Sequence, residues 1–237
     1  MLDRKRPLPF PEYALSDSDQ KKLDEINKNV ERAQLICELE EIKRLIPVYE
    51  DRRQFIKRIP NFWAIAFWRH VGLATDLQHE EDMAILKHLV DVWINRNPIE
   101  PRAYTIEFTF SVNPYFENRI LKKVYKFTES AARKKEVADK EGFKWSMLDF
   151  DWDDDVKPLP EKILWKPGQN VCQKYPAIRD KDNEITDLGS FFNWFEADGD
   201  PFDIGLIISE EIFEDAVDHF TGQVNEEEDE EEDEDMN

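Results

Sequence analysis

The sequence predicts an α+β fold: one long helix, then an antiparallel β-sheet, with the remaining helices gathered on one side of it. Three observations predict this order. Residues 17–46 contain no glycine or proline and repeat apolar side chains every three to four positions. The period then switches to two at Tyr104. Short segments dense in Phe and Trp lie on both sides of the alternating region and supply a core.

Residues 1–16 hold three prolines among mixed charges and read as a flexible lead-in. From Asp17 the chain turns to Glu, Lys, Arg and Leu, and a helix over 17–46 would run roughly 45 Å at 1.5 Å per residue. Leu23, Ile26, Val30, Ala33 and Cys37 form one apolar stripe, and Ile36, Leu39, Ile42 and Ile46 carry a neighbouring stripe onward. Such a narrow seam flanked by charge, on a helix longer than its own globule needs, predicts pairing with a second copy. Pro47 is expected to end or kink the helix, with an extension reaching Arg58 before Pro60.

The next stretch, "NFWAIAFWRHVG", reads as a short buried helix, with Asn61 as N-cap and Gly72 closing it. "HEEDMAILKHLVDVWINRN" reads as an amphipathic helix through Met83, Leu86, Leu89, Val90 and Trp93. "YTIEFTFS" alternates Tyr104, Ile106, Phe108 and Phe110 against polar residues, and "ILKKVYKFT" is the returning strand of an antiparallel hairpin. "KWSMLDFDW" and "KILWKPGQN" are shorter strand candidates, 170–187 reads as a loop, and "LGSFFNWFEA" and "SEEIFEDAVDHF" read as two closing helices. The divisions are thus 1–16, a helix and its extension over 17–58, a globular domain over 59–222, and a tail over 223–237.

That tail contains ten consecutive carboxylates at 226–235 and reads as a disordered, solvated polyanion. Ten of the 53 acids lie there, and the body still carries more acid than its 32 Lys and Arg; the formal charge of the chain is −21. Binding to DNA or to an anionic membrane is therefore disfavoured, and a basic protein partner is favoured. Two cysteines, Cys37 and Cys172, make neither a disulfide framework nor a zinc site, which predicts a reducing compartment. No apolar stretch approaches a membrane span, and an intracellular soluble protein is expected. Arg4, Lys5 and Arg6 are a candidate part of a nuclear localisation signal.

Enzymatic signatures are missing. Only seven glycines occur, none in a dinucleotide or triphosphate cradle, and there is no nucleophile elbow. His70, His79, His88 and His219 do not pair around a glutamate. Asp149, Asp151 and Asp153 sit at positions 1, 3 and 5 of a would-be calcium loop, but position 6 is Asp154 rather than Gly and position 12 is Pro160 rather than Glu. The expectation is a non-enzyme that uses neither cofactor nor metal.

"RIPNFW" after a long helix, "NPYFENRIL" in the hairpin, "WKPGQN", "SFFNWF" near the end and the acidic tail follow one another as in a known family. The chain resembles the nucleosome assembly protein/SET family of histone chaperones, and more nearly its SET and vacuolar-sorting-type nuclear members. The resemblance implies a homodimer joined by the long helix, each end carrying an earmuff domain with an acidic underside. It places histone-binding acids in "FEADGDPFD" and "SEEIFEDAVD": Glu196, Asp198, Asp200, Asp203, Glu210, Glu211, Glu214, Asp215 and Asp218. It makes the aromatic motifs architectural, the core histones the partners (either the tetramer-forming or the dimer-forming pair), and the nucleus, with shuttling to the cytoplasm, the location. A second role that the resemblance allows is a regulatory adaptor for a histone acetyltransferase or phosphatase.

Overall fold

The computed structural model describes residues 15–224; the lead-in with Arg4, Lys5 and Arg6 and the acidic run at 226–235 lie outside the described residues. Helix α1 (Asp17–Ile56) opens on a capping box, in which Ser16 Oγ accepts the Asp19 N–H at 3.2 Å and Asp19 Oδ2 accepts the Ser16 N–H at 3.3 Å. The helix does not end at Pro47, as its sequence suggests; it continues for nine further residues. An interior proline costs about 3 kcal/mol, and the turns beyond it are held by contacts that offset this. Ile56 is buried, Arg53 Nε donates to Asp91 at 2.7 Å, and Arg52 stacks between Tyr49 and Phe213.

The two apolar stripes of α1 have different fates. At about 100° per residue, Leu23, Ile26, Val30, Ala33 and Cys37 share a face with Val48 and Phe55, and all seven are exposed. The second stripe, also expected in the seam, makes contacts within its own chain. Ile36 and Leu39 pack with Leu35 against Phe143 and Met147 of the same chain, where Arg32 also pairs with Asp139 and Glu141. Ile42 and Ile46 turn toward Trp93 and Phe213. The helix therefore has one face docked on its own domain and another left bare.

Helices α2 (Phe62–Arg69) and α3 (Val71–Ala74) follow a sharp turn at Asn61, whose φ of 58° puts it in the left-handed region. Asn61 thus acts through its backbone and makes no side-chain cap, and Gly72 falls inside α3 rather than closing α2. Residues 79–97 do not form one helix. They split into α4 (Glu80–Leu86) and strand β1 (Leu89–Arg96), which pairs antiparallel with β2 (Tyr104–Phe110). A register shift between Leu89 and Asp91 breaks the alternation of β1 and hides its period in the sequence.

Strand β3 (Ile120–Phe127) pairs antiparallel with β2 as expected and with β4 (Val156–Leu159), giving the sheet order β1-β2-β3-β4. Between β3 and β4 in the chain lie α5 (Ala131–Lys135) and α6 (Trp152–Asp155), with Trp145–Met147 a 3₁₀ turn where a strand was expected. Strand β4 tolerates Pro158 because it is an edge strand. "KILWKPGQN" gives no strand, only a bridge between Phe116 and Trp165. The 170–187 stretch carries α7 (Val171–Lys174) and a two-stranded ribbon of β5 (Ile178–Arg179) and β6 (Ile185–Asp187).

Each aromatic motif has a structural task. Asn113 Oδ1 accepts the N–H groups of Tyr115 (2.9 Å) and Phe116 (3.0 Å), which shapes the hairpin loop and directs Phe116 onto Phe110 and Trp165. In "SFFNWF", Ser190 Oγ donates to Asp82 at 2.6 Å, and Phe191, Trp194 and Phe195 pack with Phe108 on the inner face of the sheet. Only Asn193–Glu196 of this stretch is helical, as α8.

Candidate functional site

The last layer of the domain begins with a turn built around Asp200. Its carboxylate accepts the Trp194 indole N–H at 2.7 Å and the Gly205 N–H at 3.0 Å. Gly205 is required there, because a Cβ would lie 1.6 Å from the Tyr125 hydroxyl. The turn passes through Phe202 (φ 63°) and Asp203 (φ 54°), both left-handed without being glycine. Asp200 is thus an internal acceptor, half-buried and with its carboxyl raised by burial, rather than the open surface acid that its sequence suggests.

After a single turn, α9 (Ile204–Leu206), the helix widens to a π-helix over Ile207–Ile212, with Phe213 N–H reaching back to Ile208 O at 2.9 Å. It ends in α10 (Ala216–Thr221). A wide turn of this kind often marks a functional position, and here it separates neighbouring acids. Glu210 and Glu214 face α1, while Glu211 turns to His70. Asp215 and Asp218, both exposed, lie close enough to the buried His219 ring to influence its titration together with Glu211; burial and the neighbouring His70 hold that ring below the ordinary range.

Between α1 and this layer lies a cleft of about 270 Å³. Ile42, Ile46, Trp93 and Phe213 line it together with the carboxylates of Glu38, Glu41, Glu210 and Glu214. Arg96 lines it too, 3.6 Å from Glu214, and Arg52 lies beside it on Tyr49 and Phe213. The Glu210 carboxyl is raised by burial and by Glu38 and Glu211, against the pull of Arg96. Glu214 is raised in the same way by burial, with Glu210, Asp215 and Glu41 adding to it. Carboxylates from two remote segments thus meet beside apolar side chains.

The remaining expected acids lie apart from the cleft lining. Glu196, Asp198 and Asp203 are exposed, Glu196 acting on the Cys172 thiol and Asp198 on Lys123. Lys123 is fully buried, donates to the Trp194 and Ala197 carbonyls at 2.8 and 2.7 Å, and is pushed down by burial to about 8. Asp151 spends its carboxylate capping α6, on the N–H groups of Asp153 and Asp154. Among the described residues no cluster of three or more His, Cys, Asp or Glu is arranged to hold a metal ion, and no helix is long and apolar enough to cross a membrane.

Glu38, Glu41, Trp93, Arg96 and His70 were not expected at this surface. Nothing in their local sequence marks them, since each matters through an element more than a hundred residues away.

The model of the nucleosome assembly protein (NAP) family matches residues 15–223. NAP1-related protein 1 of Oryza sativa subsp. indica is 30% identical over 224 residues, covering 90% of this chain and 76% of the relative. Protein SET of Drosophila melanogaster is 28% identical over 187 residues, covering 78% of this chain and 63% of the relative. Among solved structures, a Ccp1 mutant superposes with a TM-score of 0.63 at 23% identity, covering 90% of this chain and 98% of that one. Vps75 superposes at 0.59 and 19% identity, covering 87% and 98%.

Proposed function

This chain belongs to the nucleosome assembly protein family, whose members are histone chaperones rather than enzymes, and on that premise we propose that it binds core histones through the acids of its last helical layer and its acidic tail. The observation that carries the reading is the layer itself, where Glu210, Glu211, Glu214, Asp215 and Asp218 are all exposed within nine residues. Histones present Lys- and Arg-rich surfaces, and a rigid carboxylate surface competes with DNA phosphate for them. The exchange is between polyanions and needs no nucleotide. The protein thereby withholds histones from non-specific DNA contact and assists nucleosome assembly and disassembly in the nucleus.

The bare face of α1 supports a homodimer, because seven exposed apolar positions along one helix are a seam that a second copy would cover. The ten carboxylates at 226–235 add further negative charge to that of the last helical layer.

Histone affinity measured at two salt concentrations separates the two parts. Deleting the chain from Glu226 should slow capture and flatten the salt dependence while leaving tight binding largely in place, since exposed charges are screened over ~8 Å at physiological salt. Glu210→Lys with Glu211→Lys should abolish tight binding, with circular dichroism unchanged. If the tail deletion is the more damaging at both concentrations, the folded surface is not the principal binder. Suppression of histone–DNA aggregation without any added enzyme distinguishes a chaperone from an adaptor that acts only on an enzyme's rate.

A further inference from the structure

The cleft between α1 and the π-helix has more structure than an acidic surface needs. A patch that only attracts cations by charge requires no apolar lining, yet here Ile42, Ile46 and Trp93 share the lining with the carboxylates, with Arg53 over the Trp93 ring. The carboxylates are drawn from both sides: Glu38 and Glu41 come from the long helix, Glu210 and Glu214 from the last layer. Four carboxylates, against Arg96 in the lining and Arg52 beside it on Tyr49 and Phe213, leave an excess of negative charge at a partly desolvated place. Such an arrangement is unfavourable while empty and is relieved by a cation that brings its own apolar stem.

We infer that this cleft is an insertion pocket for one long basic side chain, lysine or arginine, of the bound protein, its methylene stem lying against Ile42, Ile46 and Trp93 and its charged head among the four glutamates. The inference rests on the histone reading for the source of that side chain, and it assigns to Glu38 and Glu41 of α1 a direct part in binding. Insertion would also seat the partner against both α1 and the domain, fixing its orientation.

The test follows the indole N–H resonance of Trp93, assigned with Trp93→Phe, in the full-length protein. The probes are a ten-residue peptide alternating lysine with alanine, its glutamate counterpart, and an intact core-histone complex. The lysine peptide and the histones should shift the resonance saturably, and the glutamate peptide should not. Glu38→Gln with Glu41→Gln should weaken histone binding about tenfold or more. Ile46→Trp, which fills the cleft without changing charge, should block the Trp93 shift, with circular dichroism as the folding control for both variants. Unchanged affinity in both variants with a static Trp93 resonance, while histones still bind, overturns the pocket and leaves the chaperone reading standing. A saturable peptide shift in a protein that fails to hold histones supports the cation pocket and overturns the histone reading instead.

Discussion

His70 Nε2 lies 2.8 Å from Glu211 Oε2, while the other ring nitrogen of His70 accepts the Leu73 N–H at 3.1 Å. An acceptor at Nδ1 places the ring proton on Nε2, so the neutral imidazole donates to the glutamate. One buried ring thereby caps α3 and fixes an acid of the π-helix, so that charge and fold can be separated at this point.

Glu211→Gln keeps an oxygen to receive the Nε2–H and removes only the charge. Its stability in urea unfolding should stay within about 0.5 kcal/mol of the parent, while histone binding weakens. His70→Ala removes the helix cap and the bond together and should cost about 1–2 kcal/mol. Equal losses in the two variants would show that the Glu211 charge itself holds the fold.

The bare face of α1 predicts a dimer with one accessible kind of thiol. Ile26→Glu with Val30→Glu places like charges in a desolvated seam and should yield monomers or aggregates in light scattering. Cys37 lies on the same face, whereas Cys172 is buried, and its thiol is pushed well above the ordinary range by that burial and by Glu196 and Asp82. Maleimide should therefore label Cys37 slowly in the parent and fast in the double variant, leaving Cys172 unlabelled until unfolding. Fast Cys37 labelling in the parent, together with a dimer that survives the double substitution, would move the seam elsewhere.

Acidification should strengthen the fold and weaken binding. Burial raises the carboxyls of Asp82, Asp200, Glu210 and Glu214 in the folded chain. A carboxyl with a folded pKa above its unfolded value gives stability that is present at low pH and lost as pH rises through the folded value. The melting temperature of the free protein should thus rise as pH falls from about 7.5 toward the ordinary carboxylate range near 4. His219, held below its ordinary value, offsets part of this rise as pH falls through about 6.5, and the paired acids Glu100, Asp139 and Glu81, held below theirs, oppose it when pH falls lower still. Histone affinity should fall over the same interval, because Glu210 and Glu214 lose charge first. Calorimetry at matched ionic strength checks both signs, and a melting temperature that falls steadily from 7.5 would contradict the assignment.

What the sequence determined by itself was whatever repeats locally. The long helix announced itself through a 3–4 spacing free of glycine, and the hairpin through the alternation after Tyr104. The family motifs were legible because each is a contiguous cluster of aromatics with its own turn residue, such as Asn113 beside Phe116. Tertiary structure decided what depends on distant partners. Pro47 stays in α1 because Asp91 and Phe213 hold the turns beyond it. Residues 89–96 become a strand because β2 supplies a ladder, although their apolar spacing suits a helix equally well. One stripe of α1 is bare and the other docked because the domain covers only one side, which no periodicity within the helix reveals. Asp200 turned inward to Trp194 and Gly205, and Glu38 met Glu210 across a cleft, because a carboxylate's role is set by the groups within a few ångströms of it, and folding brings those groups from elsewhere in the chain.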